Sequence, residues 1–217
     1  MGSGQAHAPR RPDWGEPRPG PVTRLLTRAR AALGVAPSVP RTGLRELPLA
    51  LRSGEVASDY IAAEQQGDHR RAGAAAVAAM ERALGEGEFW AADLWAHRGL
   101  WHFEQAGMTL QATRQARRIG DLRSAAGDPD SARRYYAEAI DEARDIGAEH
   151  EQGLAALGLG RALLDLGEVT GGRRLAAAAE TLLDRAGAPV AEVETARRLR
   201  GDEVAVGELA EQSEERE

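Results

Sequence analysis

Small and apolar residues recur along residues 55–207 at the three- and four-residue spacing of amphipathic helices, and a glycine interrupts this pattern every 20 residues. The glycines of this ladder are Gly67, Gly87, Gly107, Gly127, Gly147, Gly167, Gly187 and Gly207. Because glycine adopts the left-handed conformation that ends a helix, the ladder predicts one helix in each interval. The predicted helices cover residues 55–66, 68–86, 88–106, 108–126, 128–146, 148–166, 168–186 and 189–206.

Small or aromatic residues also repeat inside the predicted helices, at five, nine and twelve residues after a ladder glycine. They are Ala72, Ala76 and Ala79 after Gly67, Ala132, Tyr136 and Ala139 after Gly127, and Gly172, Ala176 and Ala179 after Gly167. This spacing resembles the tetratricopeptide repeat, in a variety with a longer unit of two ladder intervals, and residues 127–167 match it most closely. The resemblance covers about residues 55–200. It implies an all-α, right-handed solenoid of helical hairpins.

The ladder contains an irregularity of half a repeat. Gly67 and Gly107 resemble ends of the first helix of a hairpin, but so do Gly127 and Gly167, and the two sets differ by one helix. Either the region 88–126 is a degenerate repeat, or one helix in it has both roles. The sequence therefore leaves open which helices line a concave face.

The two ends of the chain differ from the helices in composition and charge. Residues 1–21 are rich in Pro, Gly and Arg and are expected to be disordered, and residues 22–54 to form a basic amphipathic helix and a linker. The repeat domain is expected at residues 55–207 and an acidic tail at 208–217. Residues 1–52 carry a net charge of +6 and the remainder −12. The basic segment could be a flexible lead, a docking element with Trp14 as its anchor, or a contact for nucleic acid or an anionic membrane surface.

Composition excludes several classes of protein. The chain has no Cys, which excludes disulfides and thiolate metal sites. It also has no Lys and no Asn, and all 28 basic residues are Arg, which we interpret as the codon bias of a GC-rich bacterial genome. The chain has no apolar run of membrane-spanning length and no apolar stretch typical of a secretory signal, so a cytoplasmic protein is expected.

Five of the nine aromatic residues lie between Phe89 and Phe103, where they form more than one stripe on the predicted helix. One stripe contains Phe89 and Phe103, and a second contains Trp90, His97 and Trp101. One apolar stripe is enough for a helix to pack in a hairpin, so the second stripe is not required for that packing. It indicates either a central helix that two neighbours bury, a groove for a peptide or apolar ligand, or a dimer contact.

Arginines cluster in the next predicted helix. Arg114, Arg117 and Arg118, with Arg161 two helices later, could hold an acidic peptide or a carboxylate, because guanidinium groups bind carboxylates through two parallel hydrogen bonds. The alternative is a surface charge run that neighbouring acidic residues pair. Chaperone-binding members of the tetratricopeptide family use a Lys/Asn set, which this chain lacks.

Catalytic and metal motifs are incomplete. The sequence from His150 and Glu151 fails the HExxH zinc pattern at Leu154, and Gly158 with Gly160 is a broken dinucleotide motif inside a predicted helix. No enzyme activity, cofactor, metal or catalytic residue is therefore expected. The expected function is a non-enzymatic adaptor that binds a partner protein or peptide. The alternative is a ligand- or peptide-sensing regulator that acts with nucleic acid or an effector through the basic N-terminal segment. Nucleic acid is not the expected partner, and a homodimer stays open.

Overall fold

A computed structural model of the chain describes residues 55–201, and all regular structure in this range is helical. The eight helices are α1 (Glu55–Gln65), α2 (His69–Gly85), α3 (Phe89–Gln105), α4 (Thr109–Ala125), α5 (Pro129–Asp145), α6 (Glu149–Asp165), α7 (Val169–Arg185) and α8 (Val190–Arg200). The all-α prediction is confirmed for this range. The predictions for residues 1–54, for Gly207 and for the acidic tail lie outside the described residues.

The helices from α2 to α7 each contain 17 residues, slightly fewer than predicted, because the turn around each glycine takes a residue or two from either side. At 1.5 Å per residue, each is about 25 Å long. None of the described helices is both long enough and apolar enough to cross a bilayer.

A ladder glycine with positive φ follows each helix from α1 to α7. The φ angles at Gly67 to Gly187 lie between 66° and 80°. After α4, for example, the Gly127 N–H donates to the carbonyl of Ser124 and the Asp128 N–H donates to that of Arg123. This pair of hydrogen bonds is the Schellman motif, which satisfies the last carbonyls of a helix. The prediction that these glycines end the helices is therefore confirmed.

The acidic residues that follow the glycines differ in how they begin the next helix. Asp68 accepts a hydrogen bond from the Arg71 N–H at 3.0 Å, and Asp128 accepts one from the Ser131 N–H at 3.1 Å. Both are N-caps of the usual kind. The longer side chains at the corresponding positions of α3 and α7 make no capping hydrogen bond. Among the acidic residues that follow a ladder glycine within residues 55–201, only the two aspartates cap a helix directly.

Helix α8 ends earlier than its ladder glycine predicts. The pattern extended this helix to residue 206, whereas the structure ends it at Arg200. Gly201 takes φ 97°, and its N–H donates to the carbonyl of Arg198 at 3.0 Å. A glycine outside the 20-residue register thus adopts the left-handed conformation that stops the helix.

Consecutive helices pack as antiparallel neighbours and form two rows. Contacts between second neighbours join α4 to α6 and α6 to α8. Side-chain hydrogen bonds join α1 to α3 through Tyr60 and His102, and α3 to α5 through His97 and Tyr135. We call these the even row and the odd row according to their helix numbers.

These rows account for the half-repeat irregularity of the glycine ladder. Gly67 and Gly107 end helices of the odd row, whereas Gly127 and Gly167 end helices of the even row. The two sets differ by one helix because consecutive helices belong to alternate rows. Helices α3 and α4, within the region 88–126, have the same length as their neighbours.

Small side chains let the two rows approach closely. The residue nine positions after a ladder glycine is buried in each helix from α2 to α7: Ala76, Ala96, Ala116, Tyr136, Ala156 and Ala176. The closest approach is between α6 and α7, where a Cβ on Gly172 would lie 2.8 Å from the Gly160 carbonyl oxygen. A side chain at Gly172 would therefore force these helices apart.

Tyr136 is the one large residue in this series, and glycines on both sides accommodate it. A Cβ on Gly120 of α4 would lie 2.7 Å from the Tyr136 ring, and a Cβ on Gly158 of α6 would also collide with it. The glycines at 158 and 160 thus serve helix packing. This agrees with the position of the broken dinucleotide motif inside a predicted helix.

Candidate functional site

A groove opens on the even row between α2, α4 and α6. We call it the Arg groove and define it by its lining residues: Ala74, Val77 and Glu81 of α2, Phe103 of α3, Gln111, Arg114, Gln115, Arg117 and Arg118 of α4, and Glu151 of α6. Its volume is about 480 Å³. Pockets that bind small ligands have volumes of about 300–1,000 Å³. The helical fold thus brings three of the four predicted arginines into one concave site.

Glu151 orients two of these arginines from the adjacent helix. The Arg114 Nε donates to Glu151 Oε1 at 2.8 Å, and the Arg117 Nε donates to Oε2 at 3.2 Å. The Glu151 side chain is only 7% exposed, and the two guanidinium groups compensate the burial of its charge. Arg114 is 49% exposed, and no described residue forms a hydrogen bond or ion pair with its Nη atoms. Glu151 therefore fixes Arg114 and leaves its outer edge open.

The same network continues from Arg117 into the core. Arg117 Nη1 donates to Asp121 Oδ2 at 2.8 Å, and the Tyr136 hydroxyl donates to Asp121 Oδ1 at 2.8 Å. Burial, together with the nearby Asp121 carboxylate, raises the pKa of the Tyr136 phenol. The phenol therefore remains a donor, and the network ties α5 to the wall of the Arg groove.

The other two predicted arginines have weaker restraints. Arg118 Nη1 donates to Glu81 Oε1 at 3.0 Å across the groove, and the Glu81 side chain is 56% exposed. Arg161 is exposed on α6, does not line the groove, and forms no hydrogen bond or ion pair with the residues described. The arginine cluster therefore agrees in part with both interpretations. Its groove members line a concave site, and they also pair with neighbouring acidic residues.

Gln115 gives the Arg groove an unsatisfied polar atom. The residue is 4% exposed, and among the described residues its Oε1 has no hydrogen-bond partner. A buried amide oxygen without a donor costs about 1–3 kcal/mol relative to a satisfied one. Val77 and Phe103 supply the apolar part of the same lining. Solvent does not reach this oxygen, so a ligand N–H group would contact it only after the Gln115 side chain moved.

The second candidate set occupies one face of α3 but lines no part of the Arg groove. Trp90 is 42% exposed, and its Nε1 donates to Glu88 at 3.1 Å. His97 lies 2.8 Å from the Asp93 carbonyl oxygen and 2.9 Å from the Tyr135 hydroxyl. Trp101 packs edge-on against two histidines. Each of the three makes separate contacts.

A buried aromatic cluster joins α1, α2 and α3, and the sequence did not indicate it. We define the aromatic cluster by Tyr60, His69, Trp95, Arg98, Trp101 and His102. The Tyr60 hydroxyl lies 3.0 Å from His102 Nε2 and accepts a hydrogen bond from Arg98 Nη1 at 3.1 Å. His102 Nδ1 lies 3.0 Å from His69 Nδ1.

Burial lowers the pKa of His102 to about 4, with smaller contributions from the nearby His69 and Arg98. A neutral imidazole has one donor and one acceptor nitrogen, and both nitrogens of His102 have a partner here. Burial likewise raises the pKa of Tyr60. Tyr60 and His102 are therefore neutral, hydrogen-bonded members of the core, with the Arg98 guanidinium beside them.

A sequence signal for these contacts within a row exists. Polar partners within one row are 34 to 42 residues apart, as in Arg117–Glu151, Glu81–Arg118, Arg114–Glu151, His97–Tyr135, Tyr60–His102 and His150–Glu192. This separation is close to two ladder intervals. A search for complementary polar residues at that spacing would have paired Arg114 with Glu151.

The described residues contain no group of three or more His, Asp or Glu side chains that could hold a metal ion. His150, from the incomplete zinc pattern, lies 2.7 Å from Glu192 Oε2 on α8. The buried ion pair between Arg123 Nη2 and Asp93 Oδ2, at 3.1 Å, joins α4 to α3. The arrangement in the Arg groove suits the binding of an anionic ligand.

The sequence matches no known protein-family model, and a comparison with curated proteins finds no significant relative. The tetratricopeptide resemblance accordingly rests on the spacing of small residues and glycines in this chain.

Proposed function

We propose that this protein is a non-enzymatic adaptor that binds an acidic segment of a partner protein in the Arg groove. In this proposal the paired rows of helices form a right-handed solenoid similar to tetratricopeptide repeats, and the even row is its binding face. Helical repeats offer extended surfaces of this kind to peptides and proteins. The proposed setting is the bacterial cytoplasm.

The observation that supports the proposal most directly is the combination of Arg114 and Gln115 on adjacent positions of α4. Arg114 is fixed through its Nε while its Nη atoms remain open, and Gln115 has an unsatisfied Oε1. A peptide has a backbone N–H for the amide oxygen and, in an acidic residue, a carboxylate for the guanidinium group. Arg114 is accessible to a carboxylate as the groove stands, whereas the Gln115 oxygen would accept a peptide N–H only after its side chain turned toward the groove.

A ligand carboxylate would add to Glu151 instead of displacing it. Glu151 takes the Nε atoms of Arg114 and Arg117, whereas no described residue forms a hydrogen bond with the Nη atoms of Arg114. Orientation by a buried group reduces the entropy that Arg114 would otherwise lose on binding.

The test is partner recovery from an extract of the source organism with the chain as bait. The Arg114→Gln/Gln115→Leu variant should recover at least about tenfold less partner, since a charge-assisted hydrogen bond contributes about 1.5–3 kcal/mol. The matched control is Arg144→Gln, which removes an exposed arginine with one acidic partner on α5. Circular dichroism would confirm that both variants remain helical.

Unchanged recovery by the groove variant would disprove this assignment of the site. Loss of recovery in Trp90→Ala/Trp101→Ala alone would instead move the binding surface to the face of α3.

A further inference from the structure

A tyrosine and a histidine of the odd row form a hydrogen-bonded pair that the proposed function does not use. The Tyr135 hydroxyl of α5 lies 2.9 Å from His97 Nε2 of α3, and the two ring centroids are 5.7 Å apart. Both residues are partly exposed, the His97 side chain at 32%. They are 38 residues apart in the chain, so no short motif contains both. The pair lies apart from the Arg groove, whose lining includes neither residue.

The hydrogen bonds of His97 determine which of the two side chains donates. His97 Nδ1 lies 2.8 Å from the backbone carbonyl oxygen of Asp93, and a carbonyl oxygen can only accept. The proton of the neutral imidazole is therefore on Nδ1, and Nε2 carries the lone pair. The Tyr135 hydroxyl must then donate to Nε2. A hydroxyl that donates to an imidazole, which a further group orients, is the arrangement of a nucleophile with its general base.

The other two tyrosines of the chain lack this combination of exposure and a basic partner. Tyr60 also contacts a histidine, but it is 1% exposed, and its hydroxyl accepts a hydrogen bond from Arg98. Tyr136 is 3% exposed and donates to the Asp121 carboxylate. Burial raises the pKa of both phenols, which makes them poor nucleophiles. Tyr135 is therefore the tyrosine that an electrophile can reach and a base can activate.

The neighbours of the pair indicate which class of electrophile it suits. Leu94 and Trp101, both partly buried, lie one turn before and one turn after His97 on α3. On α5, the acidic Glu138 follows Tyr135 by one turn. Apolar and acidic neighbours both disfavour a negatively charged phosphoryl donor, through lost hydration and like-charge repulsion. An uncharged acyl donor has neither disadvantage, so the class that fits is an activated carboxylic ester.

From this geometry we propose that Tyr135 is a nucleophile that accepts an acyl group from an activated carboxylic ester, with His97 as its general base. The phenol oxygen attacks the carbonyl carbon while its proton passes to His97 Nε2. The bond from that carbon to the leaving oxygen then breaks, and the leaving alcohol or phenol takes the proton from the imidazolium. The products are O-acyl Tyr135 and the released alcohol or phenol, so the step needs no oxidant, reductant or further reactant.

Reaction of the full-length chain with p-nitrophenyl acetate tests the proposal. The chain has no Lys and no Cys, so few other side chains compete for the acetyl group. Digestion and mass spectrometry locate the added acetyl group and compare the three tyrosines within one folded molecule. We expect acetylation of Tyr135 at least about tenfold faster than that of Tyr60 or Tyr136, since a general base contributes about 10²–10⁴-fold.

Two histidine variants separate activation from exposure. His97→Gln keeps an acceptor for the Tyr135 hydroxyl but removes the base, so the acetylation rate of Tyr135 should fall at least about tenfold. His150→Gln is the matched control and should leave that rate unchanged, because His150 is 40% exposed and pairs with Glu192 instead of a tyrosine. Circular dichroism would confirm that both variants remain helical.

Three outcomes would overturn the proposal. Equal rates in His97→Gln and the wild type would show that exposure alone governs the reaction. Equal rates at the three tyrosines of the wild type would show that Tyr135 is not activated. Acetylation confined to serine, threonine, histidine or the N-terminal amine would place the nucleophile elsewhere. Each of these results leaves partner binding in the Arg groove untouched, because the two sites share no residue.

Discussion

The aromatic cluster and the Arg groove are two polar networks in the same stack of helices, and they differ in how completely they are satisfied. In the aromatic cluster, both nitrogens of His102 and the hydroxyl of Tyr60 have partners within the chain. In the Arg groove, Gln115 Oε1 and the Nη atoms of Arg114 have none among the described residues.

This difference separates a stabilising role from a binding role. The Tyr60 and His102 groups pair within the core and contribute to folding without offering an open atom to a ligand. Arg114 is half exposed while Glu151 holds its Nε, so a ligand can reach this side chain from solvent. An oriented and accessible group, more than the number of arginines or tryptophans, therefore marks the Arg groove as the candidate site in this protein.

The largest expected effect comes from removing the centre of the aromatic cluster. Trp95 is 2% exposed and packs at 5.0 Å, centroid to centroid, against Tyr60. Trp95→Ala should lower the free energy of unfolding by about 3–5 kcal/mol, because it leaves a cavity. Urea unfolding measures this change. Trp90→Ala, at a 42% exposed position of the same helix, is the control and should cost well under half as much. Equal costs would show that the cluster is not core.

The second effect is a pH dependence that the aromatic cluster should have through His102. The folded pKa of His102 is about 4, below its ordinary value of 6.5. Between these values the unfolded chain binds a proton that the folded chain does not, so stability falls as pH falls from 6.5 to 4. The contribution is at most about 3 kcal/mol.

Unfolding measured at pH 7 and pH 4 tests this dependence in three chains. His102→Gln should lose less stability between the two values than the wild type. Arg118→Gln, a groove variant, should follow the wild type. A wild-type slope in His102→Gln would contradict the assignment of a depressed pKa to this histidine.

The smallest effect distinguishes the two carboxylates of the Arg groove. Glu151→Gln weakens two hydrogen bonds to arginines at a buried position and should cost about 1–3 kcal/mol. Glu81→Gln removes one exposed pair with Arg118 and should cost less than about 1 kcal/mol. Thermal unfolding of the two variants compares them directly. If Glu81→Gln proved the more costly, Glu151 could not be the group that organises the groove.

Much of the fold could be predicted because it depends on local chemistry. The glycines at one position per interval end each helix by their own conformational freedom, as at Gly127. The early end of α8 was missed because Gly201 is out of register, and the periodic pattern outweighed a local signal. Capping by Asp68 and Asp128 but not by the glutamates also depends on side-chain length, which the charge pattern did not reveal.

The site was predictable only in part because it depends on contacts between helices. The arginines on α4 were visible as a cluster, and their helical spacing suggested a shared face. The roles of Glu151 and Gln115 were missed. Glu151 stood out only in the incomplete zinc pattern and Gln115 belongs to no motif, whereas the significance of Glu151 lies in its pairing with Arg114 across helices. The tryptophan-rich segment attracted attention for its composition, yet its most buried member, Trp95, contacts a helix 30 residues earlier in the chain.

Because consecutive helices lie in alternate rows, the loss or gain of an odd number of helices has a different effect from that of an even number. Each helix with its glycine turn occupies 20 residues, and its neighbours run in the opposite direction in the other row. Loss of a single such segment between α4 and α6 would transfer every later helix to the other row and reverse it, separating Arg114 from the carboxylate that orients it. Loss of two segments would restore row and direction together. A chain built in this way can lengthen or shorten during evolution by pairs of helices and keep its binding face, but not by single ones.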